Sequence, residues 1–228
     1  MLSAEEVKTA VSRYWNGRAA GFDLGASHGV HNEAQHQAWL ALLREVAGPP
    51  PLTVLDVGCG TGFLAMRMAE LGHTAVGIDL APEMLASAQR KAEGSGLPVT
   101  FRRGDAEAPP PDGAPYDVIL ERHVIWTLPQ PREAMRAWKA LLKPGGLLIL
   151  IEGIFAMSDR TVYPQLEPQL PLFGGRPAEE LAALLEMEGF MQTAVTPLMD
   201  AALWLETPTR PRFMVFGRRP GHEARADR

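Results

Sequence analysis

A chain of 228 residues, 46% hydrophobic and 21% charged, has ordinary globular composition and is long enough for one domain with additions and a substantial core. Its net charge of −5 and its lack of any long Lys or Arg run argue against a nucleic-acid partner, since such surfaces normally carry a basic stripe. One cysteine, Cys59, leaves nothing for an internal disulfide or a thiolate metal cluster, which fits a reducing compartment.

The N-terminal segment MLSAEEVKTAVSRYW is too polar for a signal peptide, and no apolar run approaches a membrane span. A cytoplasmic protein with no membrane partner is expected. Ser3 and Glu6 have capping-box spacing, and Val7, Val11, Tyr14 and Arg18 recur at helical intervals, so a helix is predicted over 4–19. A polar loop follows, then a helix over 33–46, ended by the GPPP run at 48–51. Residues 1–50 are read as a helical lid and 51–219 as the main domain. Within that domain short apolar runs alternate with helices: LTVLDVG, TGFLAMRMAELG, HTAVGIDL, PEMLASAQRKAEG with Pro82 at its start, PVTFRRGD, YDVILER, PREAMRAWKALLK stopped at Pro144–Gly146, and GLLILIEG. This is the pattern of a doubly wound α/β fold with a mostly parallel sheet. Periodicity fails over 155–176, which reads as a substrate-recognition insert. The helix PAEELAALLEMEG, a strand near 191–197 and the strand FMVFGRR close the sheet, and 220–228 is a polar tail.

The segment VLDVGCGTG at 54–62 puts glycines at 58, 60 and 62 directly after a strand, where ligands of open α/β sheets come close to bare backbone. A dinucleotide fingerprint is G-x-G-x-x-G with an acid about 20 residues on. Asp79 supplies that acid, but Phe63 stands where the third dinucleotide glycine belongs. Asp56, just ahead of the loop, repels a pyrophosphate and suits an ammonium or sulfonium group. Together Asp56, the glycines and Asp79 favour a nucleoside that carries positive charge in place of phosphate.

In order and spacing, LDVGCGTG, GIDLAPEML, GDAEAPP, YDVILERHVIWTL and LLKPGGLLIL resemble the class I S-adenosylmethionine-dependent methyltransferase family, over roughly 52–153. The resemblance implies a seven-stranded Rossmann-like sheet with an N-terminal helical lid and S-adenosylmethionine as cofactor, S-adenosylhomocysteine being the product. It places Gly58 and Gly60 under the methionine part and has Asp56 orient the loop or meet the amino group. Asp79 takes the ribose hydroxyls, Leu80 and Met84 line the adenine side, and Asp105 and Ala106 lie near the adenine amino group. Glu121, Arg122 and His123 point into the cleft floor, and Tyr14 and Arg18 on the lid helix meet the methionine end. The lid spacing equally permits core packing for Tyr14 and solvent for Arg18.

Methyl transfer from a sulfonium needs alignment and exclusion of water, plus a base when the acceptor arrives protonated. His123 and His28 are the candidate bases. His31, Trp126, Phe155, Tyr163 and Trp204 are candidate acceptor contacts, with Arg160 or Arg176 available for a carboxylate. His28, His31 and His36 lack a supporting thiolate or clustered acid, so no metal is expected. The reading is a methyltransferase acting on nitrogen or oxygen of a small molecule in a bacterial biosynthetic pathway, as monomer or homodimer. A carbon acceptor, a nicotinamide-dependent oxidoreductase and a non-catalytic cofactor-binding protein are the alternatives.

Overall fold

Seven strands form one sheet in the computed structural model, which describes residues 2–155 and 165–221. They are β1 (Thr53–Val57), β2 (Thr74–Asp79), β3 (Val99–Arg103), β4 (Tyr116–Arg122), β5 (Leu142–Gly153), β6 (Met191–Pro197) and β7 (Arg212–Arg218). Their order is β3-β2-β1-β4-β5-β7-β6. The first five pair in parallel, and β7 lies antiparallel between β5 and β6. The doubly wound, mostly parallel sheet is therefore as the alternating pattern predicts. Strand order reverses where β1 lies between β2 and β4, and the crevice beyond the carboxyl ends at that point is where open α/β sheets bind ligands.

Helices cover both faces: α1 (Ala4–Asn16), α2 (Glu33–Ala47), α3 (Phe63–Glu70), α4 (Pro82–Glu93), α5 (Pro131–Leu141), α6 (Ala178–Met187) and the short α7 (Ala201–Trp204). On one side, Val54, Leu120, Ile149 and Ile151 pack with Trp39 of α2, Leu64 and Met68 of α3, and Leu85 of α4. On the other, Leu55, Ile119, Leu148 and Leu150 pack with Trp138 of α5 and Leu181 and Leu185 of α6. Period-two alternation along each strand serves both layers at once. The two fully buried indoles are also satisfied: Trp39 Nε1 donates to Leu203 O at 2.9 Å and Trp138 Nε1 to Ala106 O at 2.7 Å.

Three boundaries differ from expectation. The capping box at Ser3 and Glu6 is present, but α1 stops at Asn16, and the chain turns through a 3-10 segment at Ala19–Leu24. Helix α5 ends at Leu141, so Pro144–Gly146 is not its stop. β5 already begins at Leu142, and a register shift against Tyr116–Val118 absorbs the proline and glycines. Helix α7 escaped the sequence reading because four residues carry no period; Asp200 caps it through Ala202 N–H at 2.9 Å. Arg160, Tyr163 and most of the tail lie outside the described residues. In the described end of the insert, Leu166, Leu170 and Leu172 are buried in the α5–α6 layer.

Gly62 has φ +85°, and a Cβ there would stand 2.5 Å from Phe101 Cζ. Gly62→Ala should cost on the order of 1–3 kcal/mol through strain and this clash. Thermal unfolding should read that as a fall of several degrees, and an unchanged midpoint would contradict the packing described.

Candidate cofactor and acceptor cavity

The cavity opens above the carboxyl ends of β1, β2 and β4, under α1 and the 3-10 segment. Its floor is the glycine loop. Gly58, Gly60 and Gly62 all have positive φ, at +64°, +54° and +85°. A Cβ at Gly58 would sit 2.5 Å from Val124 Cγ2, so glycine alone lets this loop meet the turn after β4. The loop is held by two carboxylates. Asp79 accepts from Gly60 N–H through Oδ2 and from Ala81 N–H through Oδ1, both at 2.8 Å. Asp56 accepts from Ala65 N–H at 2.9 Å, tying β1 to the first turn of α3. Burial raises both acids, Asp56 to about 7, while their backbone donors pull the other way. Both line the cavity, as do Leu80, Met84, Asp105 and Ala106. Cys59 is buried beside the loop, and burial pushes its thiol well above the ordinary range. Phe63 opens α3 with its ring buried, so an aromatic fills the place of a third dinucleotide glycine.

The lid contributes different residues from those expected. Lys8, Val11 and Trp15 line the cavity, whereas Tyr14 and Arg18 do not. Tyr14 packs against the core layer, and the Arg18 guanidinium lies over its ring at 4.5 Å. Lys8, Val11 and Trp15 follow one helical face, and that spacing was the missed signal. Lys8 Nζ bridges Asp105 Oδ2 and Glu107 Oε2, each at 2.7 Å. Ser12 Oγ donates to Leu80 O at 2.9 Å. Beyond α1, Phe22 joins the wall. Asp23 then accepts from Thr61 Oγ1 at 2.5 Å and Lys91 Nζ at 2.9 Å, strapping the lid to the glycine loop and α4.

At the end of β4, alternation separates neighbours. Arg122 faces the cavity, with its guanidinium 3.7 Å from the Phe63 ring centroid. It donates to Ser27 O at 3.1 Å and His28 O at 2.9 Å, pinning the lid loop. Burial lowers its pKa only to about 9, so it stays cationic at neutral pH. Glu121 is corrected: it points to the opposite sheet face, away from the cavity, where it meets Glu152. His123 lines the cavity with φ +62°, and its Nε2 has no partner among the described residues. Burial, reinforced by Arg122 and Arg212, holds it well below the ordinary imidazole range. His28 also lines the cavity, stacked on Phe22 at 4.2 Å, and burial with Arg122 lowers it to about 4. Both rings are neutral at pH 7.

Trp126 and Phe155 complete the wall, and Phe155 sits edge-on to His123 at 4.9 Å. The other acceptor candidates are corrected. Trp204 stacks on His123 at 6.0 Å but lies outside the lining, anchored by Nε1 to Leu198 O at 2.8 Å. His31 is exposed and turned onto Gly25 O at 3.1 Å. Arg176 spends its guanidinium on Phe173 O and Gly175 O of its own turn. His36 is 2.5 Å from Glu70 on the far side of α2. Among the described residues no His, Cys, Asp and Glu side chains group to hold a metal, and no helix is long and apolar enough to cross a membrane.

Residues 54–146 match the family profile of a methyltransferase domain. A ubiquinone biosynthesis O-methyltransferase of Roseobacter denitrificans is 41% identical over 109 residues, which is 46% of this chain and 44% of that protein. The matched stretch thus spans under half of such relatives. Among solved structures, the cyclase SpnF superposes with TM-score 0.72 at 20% identity, covering 94% of this chain and 96% of SpnF. The magnesium protoporphyrin IX methyltransferase of Synechocystis, solved with bound S-adenosylhomocysteine, gives 0.66 at 22% identity over 93% of this chain and 99% of its own. Sheet order, glycine loop and β2 acid agree with the matched profile: residues 54–146 carry a methyltransferase domain, on a fold shared with these solved structures.

Proposed function

We propose that this chain binds S-adenosylmethionine in the cavity and moves its methyl group to an oxygen of a small, flat acceptor within a bacterial biosynthetic pathway. The observation that carries this is one continuous cavity. It joins Asp79, Leu80, Met84 and Asp105 at one end to His123, Trp126 and Phe155 at the other.

The residues present fit the cofactor. Asp79 keeps lone pairs beyond its two backbone donors, so each oxygen still accepts from a ribose hydroxyl. Carboxyl groups at this end favour a cationic nucleoside over a pyrophosphate, since a nearby cation stabilises the ionised form of Asp56 and Asp79 whereas an anion opposes it. When bound, S-adenosylmethionine supplies a methyl group on a positively charged sulfur, an already activated leaving group. The lid excludes water through Trp15 and Phe22, and the aromatic wall orients a flat acceptor. Alignment of this kind supplies roughly 7–11 kcal/mol of barrier reduction.

Oxygen is favoured over nitrogen by the charges at the acceptor end. Arg122 is cationic there, and His28 and His123 are neutral. An ammonium acceptor meets repulsion, whereas a hydroxyl that becomes negative as it loses its proton meets attraction. His123 Nε2 is free to take that proton. The sequence relatives named as ubiquinone biosynthesis O-methyltransferases support the same choice of atom. Likeness to the cyclase SpnF makes a reaction without methyl transfer the second reading, which product analysis separates.

Asp79→Ala should weaken S-adenosylmethionine binding by about 10- to 100-fold, since charge-assisted hydrogen bonds contribute roughly 1.5–3 kcal/mol. Calorimetry on variant protein that still unfolds cooperatively checks this, and wild-type affinity would remove the cofactor from this end. His123→Ala should lower kcat by about 10²- to 10⁴-fold with cofactor affinity nearly unchanged, as for loss of a general base. Full turnover by that variant across the pH range would return His123 to a packing role.

A further inference from the structure

Behind the cavity wall two carboxyl side chains are buried against each other. Glu121 is 0% and Glu152 1% exposed. They extend β4 and β5 by one alternation beyond Ile119 and Leu150, so both stand on the apolar face that packs α5 and α6. Neither has an ion-pair partner among the described residues. Instead each holds one N–H of the turn after β4: Glu121 Oε2 accepts from Val124 N–H at 2.8 Å, and Glu152 Oε1 from Ile125 N–H at 3.2 Å. The two carboxyls, on adjacent strands and on the same sheet face, are close enough to shift each other's titration. Glu121 Oε1 and Glu152 Oε2 find no donor in the described residues.

The turn they grip is strained. His123 has φ +62°, a left-handed conformation that costs a non-glycine residue of this kind on the order of 1 kcal/mol or more. The next three residues, Val124, Ile125 and Trp126, then enter a 3-10 turn whose Val124 and Trp126 line the cavity. Two ionised carboxylates side by side in apolar surroundings repel strongly, whereas one proton between them makes a strong charge-assisted hydrogen bond. We propose that Glu121 and Glu152 share a single proton and act as paired positioning residues, holding the strained turn that presents His123 and Trp126 to the acceptor. The positioning of His123 rests on the methyl-transfer reading, while the shared proton does not.

Burial raises both acids, Glu152 to about 8 and Glu121 well above its ordinary value; the charge of Glu152 raises Glu121 further, whereas Glu121 lowers Glu152. The surrounding charges are Arg212 on β7, which attracts Glu152, Arg122 on the other sheet face, and His123 at the head of the turn. The unfolded chain releases these protons near pH 4–5. Between that pH and about 8 the native state holds more protons than the unfolded chain, so its stability falls as pH rises over that range.

Infrared difference spectra of wild type against Glu121→Gln and against Glu152→Gln test the shared proton directly. Either amide mimics the protonated partner, accepting from the backbone and donating to the remaining carboxylate. Each variant should lose a protonated-carboxyl band at pH 7 and flatten the decline of thermal stability up to pH 8. A band that survives unchanged in both variants belongs to Asp56 and overturns the proposal. For positioning, Glu121→Ala should shift the His123 ring nitrogen resonances and lower kcat by about 100-fold, the scale of a small misplacement. Glu121→Gln should restore both. Unshifted His123 resonances in Glu121→Ala would end the positioning role whether or not methyl transfer is the reaction.

Discussion

Asp79 is the constraint on which the cavity depends. One carboxylate at the end of β2 receives N–H groups from the glycine loop after β1 and from the turn into α4. It therefore sets the distance between the two strand ends that bracket the switch point of the sheet. Burial works against its charge, and the backbone donors offset only part of that cost. The arrangement leaves the carboxyl group only half-committed, with acceptor capacity still directed into the cavity. Removing the carboxylate loosens two walls together, because both walls are attached to the same atom group.

The N-terminal helices pack apolar faces on the sheet layers, with Val7 of α1 and Trp39 and Leu43 of α2 fully buried, and polar contacts tie their edges to the cavity rim. Lys8 reaches Asp105 and Glu107, Ser12 reaches Leu80 O, and Asp23 reaches Thr61 and Lys91. These partners lie on the loops after β1, β2 and β3 and on α4. Such contacts between partly exposed groups contribute modestly one by one. Apolar packing and these edge contacts together select one register for the segment over the cavity.

Much of this was legible in the sequence. Alternation of short apolar runs with helices disclosed the sheet and both layers, since every strand carries buried residues on each face. Asp56, Gly58, Gly60, Asp79, Leu80, Met84, Asp105 and Ala106 all line the cavity, because motif position along a parallel strand dictates which end of the sheet a residue reaches. The misreadings came where direction, not position, decides. Glu121 and Arg122 are adjacent and point to opposite faces. Tyr14 and Trp15 are adjacent on α1, and only Trp15 turns inward to the cavity. A helix period admits several rotations about its axis, and contacts made by Lys8 and Ser12 to distant loops select one.

The placement of opposite protonation demands on either side of β4 follows from the same alternation. Arg122, on the cavity side, keeps a positive field at the acceptor end and, with burial, keeps His28 and His123 neutral. Glu121, one residue earlier, puts a carboxyl on the closed side, where no cation is paired with it among the described residues. A carboxylate beside His123 would raise its pKa and favour the imidazolium, which has no lone pair left to accept a proton. The acid is instead turned away, where it grips the backbone of Val124 and bears on His123 only through geometry. Strand period thus separates two effects that adjacent side chains could not have on one face: setting the charge of an imidazole and holding the turn that follows it.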